Sequence, residues 1–283
     1  MAIYVRLVGG LGNQLFQYAC GFAQSERLDV PLILDTRELI GKANHDIFMM
    51  DRFDITGVIG DDRNLPPNRN KKIRYLIWRK FGQSPKIFRE QGFALNKNIF
   101  DVPDDTYLHG YFLSENYFKP WETALRKELK LRAKPNAKNT ATLNQIRQTQ
   151  SVSLHVRRGD FTSLTAGSIC NEAYYKAALE ALKAKIGTNF ELFIFSNDPK
   201  WVRKNLDFGV TSHVIDNNGP LDAAEDLRLM SACKHNMIAN SSLSWWGAWL
   251  NQGKNKHVVG PKRWYPEKQF NDLEIIPDNW IKV

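Results

Sequence analysis

Apolar residues recur along this chain in two rhythms, and their alternation sets the fold class. Ile3–Val8 is a short apolar run that ends in Gly9-Gly10-Leu11-Gly12-Asn13. From Asn13 to Arg27 the apolar positions Leu15, Phe16, Ala19, Phe22 and Ala23 fall on one helical face. Pro31–Asp35 then reads as a second strand. This strand–glycine loop–helix–strand order opens an α/β domain of nucleotide-binding type. The second half repeats the rhythm. Strands are predicted at Val152–Val156, Phe190–Ser196, His213–Ile215, Asn236–Ala239 and His257–Gly260, with helices at Glu172–Lys185, Pro199–Leu206, Asp222–Ala232 and Leu243–Leu250. Such alternation implies a parallel sheet with helices on both faces.

Between these regions the pattern weakens. Residues 40–102 carry turn signals and a basic aromatic stretch, Lys71–Phe81, and read as insertions and acceptor-side loops. A strand is expected at Tyr107–Phe112 and an irregular helix over Glu115–Leu131. The polar segment 136–150 is expected to be a linker, with a surface helix allowed inside it. The predicted organisation is therefore an N-terminal α/β domain over 1–135, the linker, and a C-terminal α/β domain over 151–283.

Composition narrows the class. Of the 283 residues, 43% are hydrophobic and 12% aromatic, enough for a buried core and too apolar for a disordered chain. The net charge is +9, which suits an anionic partner such as a nucleotide diphosphate, an acidic membrane surface or nucleic acid. The densest basic clusters, 68–80 and 254–256, read either as solvated surface or as a membrane-facing patch. Cys20, Cys170 and Cys233 are odd in number and widely spaced, which indicates neither a disulfide framework nor a zinc site. The opening residues show no secretory signal and no apolar run spans a bilayer, so a bacterial cytoplasmic location is expected, with peripheral contact at the inner membrane allowed.

Four motifs sit at strand-to-helix turns, where open α/β sheets bind ligands. Gly9-Gly10-Leu11-Gly12-Asn13-Gln14 lets a ligand approach the backbone and leads into a helix N-terminus, but lacks the GxGxxG spacing of dinucleotide folds. His155-Val156-Arg157-Arg158-Gly159-Asp160 ends a strand in two arginines. One can fork onto a diphosphate, and the other can brace Asp160. Phe195-Ser196-Asn197-Asp198-Pro199-Lys200-Trp201 reads foremost as a helix start capped by Asp198. On the next strand Asp216 is either a guanine reader or a turn-forming residue. In Ala239-Asn240-Ser241-Ser242-Leu243-Ser244-Trp245-Trp246-Gly247-Ala248-Trp249, the serines are phosphate ligands or helix caps. Trp246 and Trp249 share a face that suits core packing, and Trp245 is read as lining the sugar or acceptor pocket. No Asp-x-Asp pair occurs, so arginines, backbone N–H groups and helix dipoles are expected to meet a leaving diphosphate without metal.

Together GGLGNQLFQYA, HVRRGD, FSNDPKW and ANSSLSWWGAWL resemble the bacterial α-1,2-fucosyltransferases over nearly the whole chain. The resemblance implies a GT-B-like α/β fold of two Rossmann-like domains facing across a cleft, and a metal-free inverting transfer of fucose from GDP-fucose. The acceptor would be the 2-hydroxyl of a β-galactoside glycan, lipid-linked in O-antigen synthesis. It implies that His155, Arg157 and Arg158 contact the donor, Asp216 reads guanine, and Ser241 and Ser242 bind the diphosphate. Gly10, Asn13 and Gln14 would reach the ligand from the N-terminal side. Asp160 is the nearest acidic candidate for a base and His155 a poorer one. Other linkages or other GDP-sugars are the alternatives within enzymes. A basic nucleic-acid-binding protein is the remaining class, disfavoured because Trp245–Trp249 lie in an apolar helix.

Overall fold

The computed structural model describes residues 1–39, 41, 47–62, 65–67, 72–81, 85–92, 94–157, 169–265 and 274–283. The chain divides into two compact units, Met1–Arg132 and Ala133–Val283.

In the first unit β1 (Ile3–Arg6) leads into α1 (Leu11–Leu28), then β2 (Leu32–Asp35), β3 (Val58–Ile59), α2 (Lys72–Phe81), β4 (Lys86–Arg89), β5 (Thr106–His109) and α3 (Glu122–Glu128). The sheet order is β3-β2-β1-β5-β4 and every pairing is parallel. The central strands β1, β2 and β5 are largely buried and mostly apolar, as parallel strands covered on both faces are, whereas the short edge strand β3 is exposed. Helix α1 is buried along most of its length, and Gly21 lets it close on the sheet, since a Cβ there would meet Leu32 Cδ1 at 2.9 Å. The segment expected as one irregular helix over Glu115–Leu131 is two short 3-10 turns followed by α3. Ser114 caps the first turn through the N–H of Asn116, and Pro120 is the second residue of the second. Within the region read as loops, α2, β3 and β4 are regular elements.

The second unit runs α4 (Ala137–Gln148), β6 (Ser151–Val156), α5 (Glu172–Ile186), β7 (Glu191–Ser196), α6 (Pro199–Asn205), β8 (Ser212–Ile215), α7 (Ala223–Ala232), β9 (His235–Met237), α8 (Ser242–Leu250), β10 (Val258–Gly260) and β11 (Ile281–Lys282). The sheet order is β11-β10-β9-β6-β7-β8, again all parallel. Counted from β6 this is the 3-2-1-4-5-6 order of Rossmann sheets, with its switch point between β6 and β9. The α/β class with two Rossmann-like sheets therefore holds.

One face of this sheet packs Val152, Leu154 and Val156 against Tyr174, Tyr175, Ala178, Leu179 and Leu182 of α5. The other packs Phe193 and Phe195 against Leu143 and Ile146 of α4 and Leu229 and Met230 of α7. The segment expected as a linker thus supplies a helix to the second unit's core. Burying each of its two large aliphatics contributes about 1.5–3 kcal/mol. Asn136 caps α4 by accepting from the N–H of Asn139 at 2.9 Å.

Candidate active site

Strand alternation sends Val152, Leu154 and Val156 to the α5 face and Ser153 and His155 to the other. The final residue, Val156, delivers Arg157 to the carboxyl edge beside the switch point. Two tyrosines of α5 fix that edge. Tyr175 donates its hydroxyl to the His155 carbonyl at 3.2 Å, and Tyr174 donates to the carbonyl of Ile238, which follows β9. Both strands flanking the switch point are thereby pinned by adjacent side chains of one helix.

Across the switch point the backbone turns at Asn240 and Ser241 into α8. Asn240 donates its N–H to Cys170 Sγ at 3.3 Å and its amide to the Trp264 carbonyl at 3.2 Å. Ser241 occupies the cap position of α8 in extended conformation, yet its hydroxyl makes no capping bond. Instead Arg157 Nη1 lies 3.5 Å from Ser241 Oγ. That is the weak limit of a hydrogen bond. An arginine, a buried serine hydroxyl and the start of a nine-residue helix therefore meet where the strand order reverses. Such a place favours an anion, through the guanidinium fork and the positive helix end.

His155 is buried, and no group is within hydrogen-bonding reach of its Nδ1 among the described residues. Burial, reinforced by the positive charge of Arg157, lowers its pKa to about 3. The ring is neutral at physiological pH and suits hydrogen bonding better than proton uptake. The sign of its linkage is fixed by that direction. Below pH 6.5 the unfolded chain takes a proton that the folded site refuses, so stability is lost as pH falls from 6.5 toward 3. Urea unfolding of the wild type is expected to lose about 2–3 kcal/mol more than His155→Asn between pH 7 and pH 4. Asp226, whose pKa burial raises to about 6, acts with the opposite sign but in both proteins, so the difference isolates His155. Parallel pH curves for the two proteins would refute the neutral buried ring.

The chain from residue 2 to residue 283 matches the family model described as Glycosyl transferase family 11. An alpha-1,2-colitosyltransferase of Escherichia coli is 31% identical over 99% of this chain and 98% of the relative. The chain belongs to glycosyl transferase family 11. The O-antigen biosynthesis glycosyltransferase WbnK of Escherichia coli is 28% identical over 99% of this chain and all of that one. The galactoside alpha-(1,2)-fucosyltransferase 2 of Mus musculus is 24% identical over 90% of this chain and 70% of its own length.

In this family 11 glycosyltransferase the remaining motif residues are placed as follows. Gly10 caps α1 with its carbonyl, which accepts from the N–H groups of Asn13 and Gln14 at 2.9 and 3.1 Å. Gly9 sits at φ +73, and a Cβ there would meet Asn13 Nδ2 at 2.9 Å. Gln14 is fully buried. Its amide donates to the carbonyls of Gly9 and Ile47 at 2.8 Å each, and its Oε1 accepts from the N–H of Met49 at 3.1 Å. Gln14 therefore holds the glycine loop to the segment at 47–49. Asp216 stands at the end of the edge strand β8, two strands from the switch point, and its carboxylate takes Arg203 Nη2 at 2.5 Å. Asp198 caps α6, accepting from the N–H of Trp201 at 3.1 Å, which bears out the reading of that motif as a helix start. Ser242 is the first residue of α8. Arg158 and Asp160 lie outside the described residues.

Trp245 is corrected from pocket to core. It is fully buried, donates Nε1 to the Ile275 carbonyl at 2.7 Å, and packs on Trp246, Trp249 and Trp280. With its tryptophans inside, α8 offers no stacking surface, and family membership removes the nucleic-acid reading. The three cysteines are buried and free. Among the described residues no three His, Cys, Asp or Glu side chains gather at metal-binding geometry, and no helix is long and apolar enough to cross a membrane.

The first unit contains a site that the motifs did not reveal. Arg6, Asp35, Arg89 and His109 end β1, β2, β4 and β5, and with Arg37, Glu38, Tyr75, Trp78 and Tyr107 they line a cleft. Arg6 forks onto Glu38 at 2.7 and 2.5 Å, and Arg37 forks onto Asp35 at 2.9 and 2.8 Å. Burial works to raise the Asp35 pKa, but Arg37 and the Tyr107 hydroxyl outweigh it and hold the carboxyl ionised. Arg89 donates to the Tyr75 hydroxyl. Fixed charges beside aromatic rings suit a neutral polyol, which needs oriented donors and acceptors. Each of these four strands ends in a charged residue or histidine, but nothing local in the chain tells that the four ends share one edge.

Proposed function

We propose that this glycosyltransferase moves fucose from GDP-fucose to the 2-hydroxyl of a terminal β-galactose, with inversion and without a metal ion. The meeting of Arg157, Ser241 and the α8 N-terminus at the switch point of the second sheet carries this reading. There the departing GDP would find a guanidinium and backbone N–H groups for its diphosphate. Arg158 and Ser242 would add donors, and Asp160 would take the hydroxyl proton of galactose. His155, buried and neutral, would hydrogen-bond the donor. Asp216, reached by guanine, would exchange its Arg203 partner for the N1 and N2 donors of the base. Gly10 and Asn13 would contribute from the glycine loop, with Gln14 holding that loop in place.

The cleft at the carboxyl edge of the first sheet would take the galactoside. The mouse relative is named for galactoside alpha-(1,2) fucosylation and the WbnK relative for O-antigen biosynthesis, which supports this acceptor class and pathway. A second donor is favoured by the 31% relative, named for colitose, which is fucose lacking one hydroxyl. Titration calorimetry in EDTA with GDP, GDP-fucose, UDP and ADP is expected to give guanine-selective binding. Turnover with GDP-fucose and GDP-colitose then ranks the two sugars. Binding that requires a divalent ion, or no preference for guanine, would overturn the donor assignment.

A further inference from the structure

The charge of this protein is unevenly placed. Residues 63–89 contain nine Lys and Arg and no Asp or Glu, while outside them the thirty remaining bases balance thirty acids. The net charge of +9 therefore resides in this one stretch. Helix α2 lies at its centre, with sequence KIRYLIWRKF.

Its two faces differ in kind. Tyr75 and Trp78, three residues apart, are half-buried and line the cleft of the first unit. Ile73, Leu76, Ile77 and Phe81 fall at i, i+3, i+4 and i+8 on the other face, with exposures of 75%, 53%, 55% and 69%. Lys80 lies on the same arc with its ammonium 5.1 Å from the Phe81 ring centre, and exposed Arg74 flanks it. Four large apolar side chains on one exposed face of about two helical turns are more than scattered surface hydrophobics, and such a patch marks a contact surface. An apolar arc edged by cations, with no acidic residue, is complementary to an anionic bilayer. There the aliphatic side chains enter the acyl boundary and Lys and Arg stay among the headgroups.

We propose that the outer face of α2 docks the protein on an anionic lipid bilayer. The inner face of the same helix walls the cleft, so docking would bring the cleft to the membrane surface, where a glycan carried on a lipid would be presented. That last consequence rests on the acceptor reading above. The docking itself does not.

The test is co-sedimentation of the full chain with vesicles of phosphatidylcholine alone and of phosphatidylcholine mixed with phosphatidylglycerol. Binding is expected to the anionic vesicles only and to weaken as salt rises. An Ile73→Glu/Ile77→Glu variant is expected to bind at least about tenfold more weakly with an unchanged thermal midpoint, because both side chains are exposed in the wild type. Arg74→Ser/Lys80→Ser should lose most of the salt dependence. Equal sedimentation of wild type and the glutamate variant would overturn the proposal, as would absence of wild-type binding. So would a wild-type dimer in ultracentrifugation that the glutamate variant turns to monomer, since the face would then cover a second copy. Salt-sensitive oligonucleotide binding that survives the glutamate variant, without vesicle binding, would assign the charge to nucleic acid instead. GDP calorimetry is independent of all these outcomes, so a failure here leaves the donor assignment standing.

Discussion

Arg157→Ala is expected to lower sugar transfer by on the order of 10²–10³-fold in kcat, about 3–4 kcal/mol of lost transition-state stabilisation. The argument starts at β6. Its six residues are buried, so the strand is rigid and its end is fixed by Tyr175. Arg157 is the first residue past that end, and its guanidinium reaches Ser241 Oγ across the switch point at 3.5 Å. In the proposed reaction charge would develop on the leaving diphosphate as the bond to the sugar breaks, and a preorganised guanidinium there would act more strongly on the transition state than on the bound donor. The loss should therefore fall mainly on kcat. Arg157→Lys should recover little, because an ammonium cannot fork onto two oxygens. The readouts are steady-state kinetics over donor concentration and a thermal melt. A variant that melts like the wild type and turns over within about threefold of it would remove Arg157 from the mechanism.

The residues explain why some of this was legible in the chain and some was not. Strands β1, β2 and β7 carry mostly buried apolar runs that end at a charged or polar residue, while β6 alternates Val152, Leu154 and Val156 with buried Ser151, Ser153 and His155. Helix α1 announced itself by its spacing and by the glycines before it. Helix α4 did not, because its core contribution is only Leu143 and Ile146 among polar residues, and its place is decided by Phe193 and Phe195 far along the chain. Strands β3 and β11 are two residues long and are strands only because a neighbour offers its edge. No local pattern can mark them.

The same division holds at the sites. Arg157 and Ser241 were each readable as site residues because each follows its own strand in a recognisable phrase. The first-unit cleft was not, because its walls come from strand ends more than a hundred residues apart, Arg6 to His109. Asp216 shows the opposite failure. Its strand end was correctly placed, but Arg203, thirteen residues earlier on α6, holds its carboxylate in a way that the motif did not foretell.

Trp245→Ala is expected to destabilise the fold by about 3–5 kcal/mol, the range for emptying a buried indole site. Trp245 has no exposed surface, and its ring meets those of Trp246, Trp249 and Trp280 at 5.1, 6.2 and 5.5 Å. Its Nε1 donates to the Ile275 carbonyl at 2.7 Å, so truncation also strands a buried acceptor. These contacts tie α8 to the segment 274–283, which pairs β11 against β10. The loss is therefore cooperative with the end of the chain. Trp245→Phe should cost less, since it keeps ring contacts and gives up the hydrogen bond. The distinction that matters is between a core residue and a wall of the sugar site. As a core residue Trp245 shifts the urea midpoint and leaves the KM for donor and acceptor unchanged in the folded fraction. A Trp245→Phe enzyme with a wild-type midpoint and a severalfold higher acceptor KM would return the indole to the pocket. The burial and the bond to Ile275 predict the first outcome, because a side chain with no exposed atoms has nothing to offer a ligand until α8 moves.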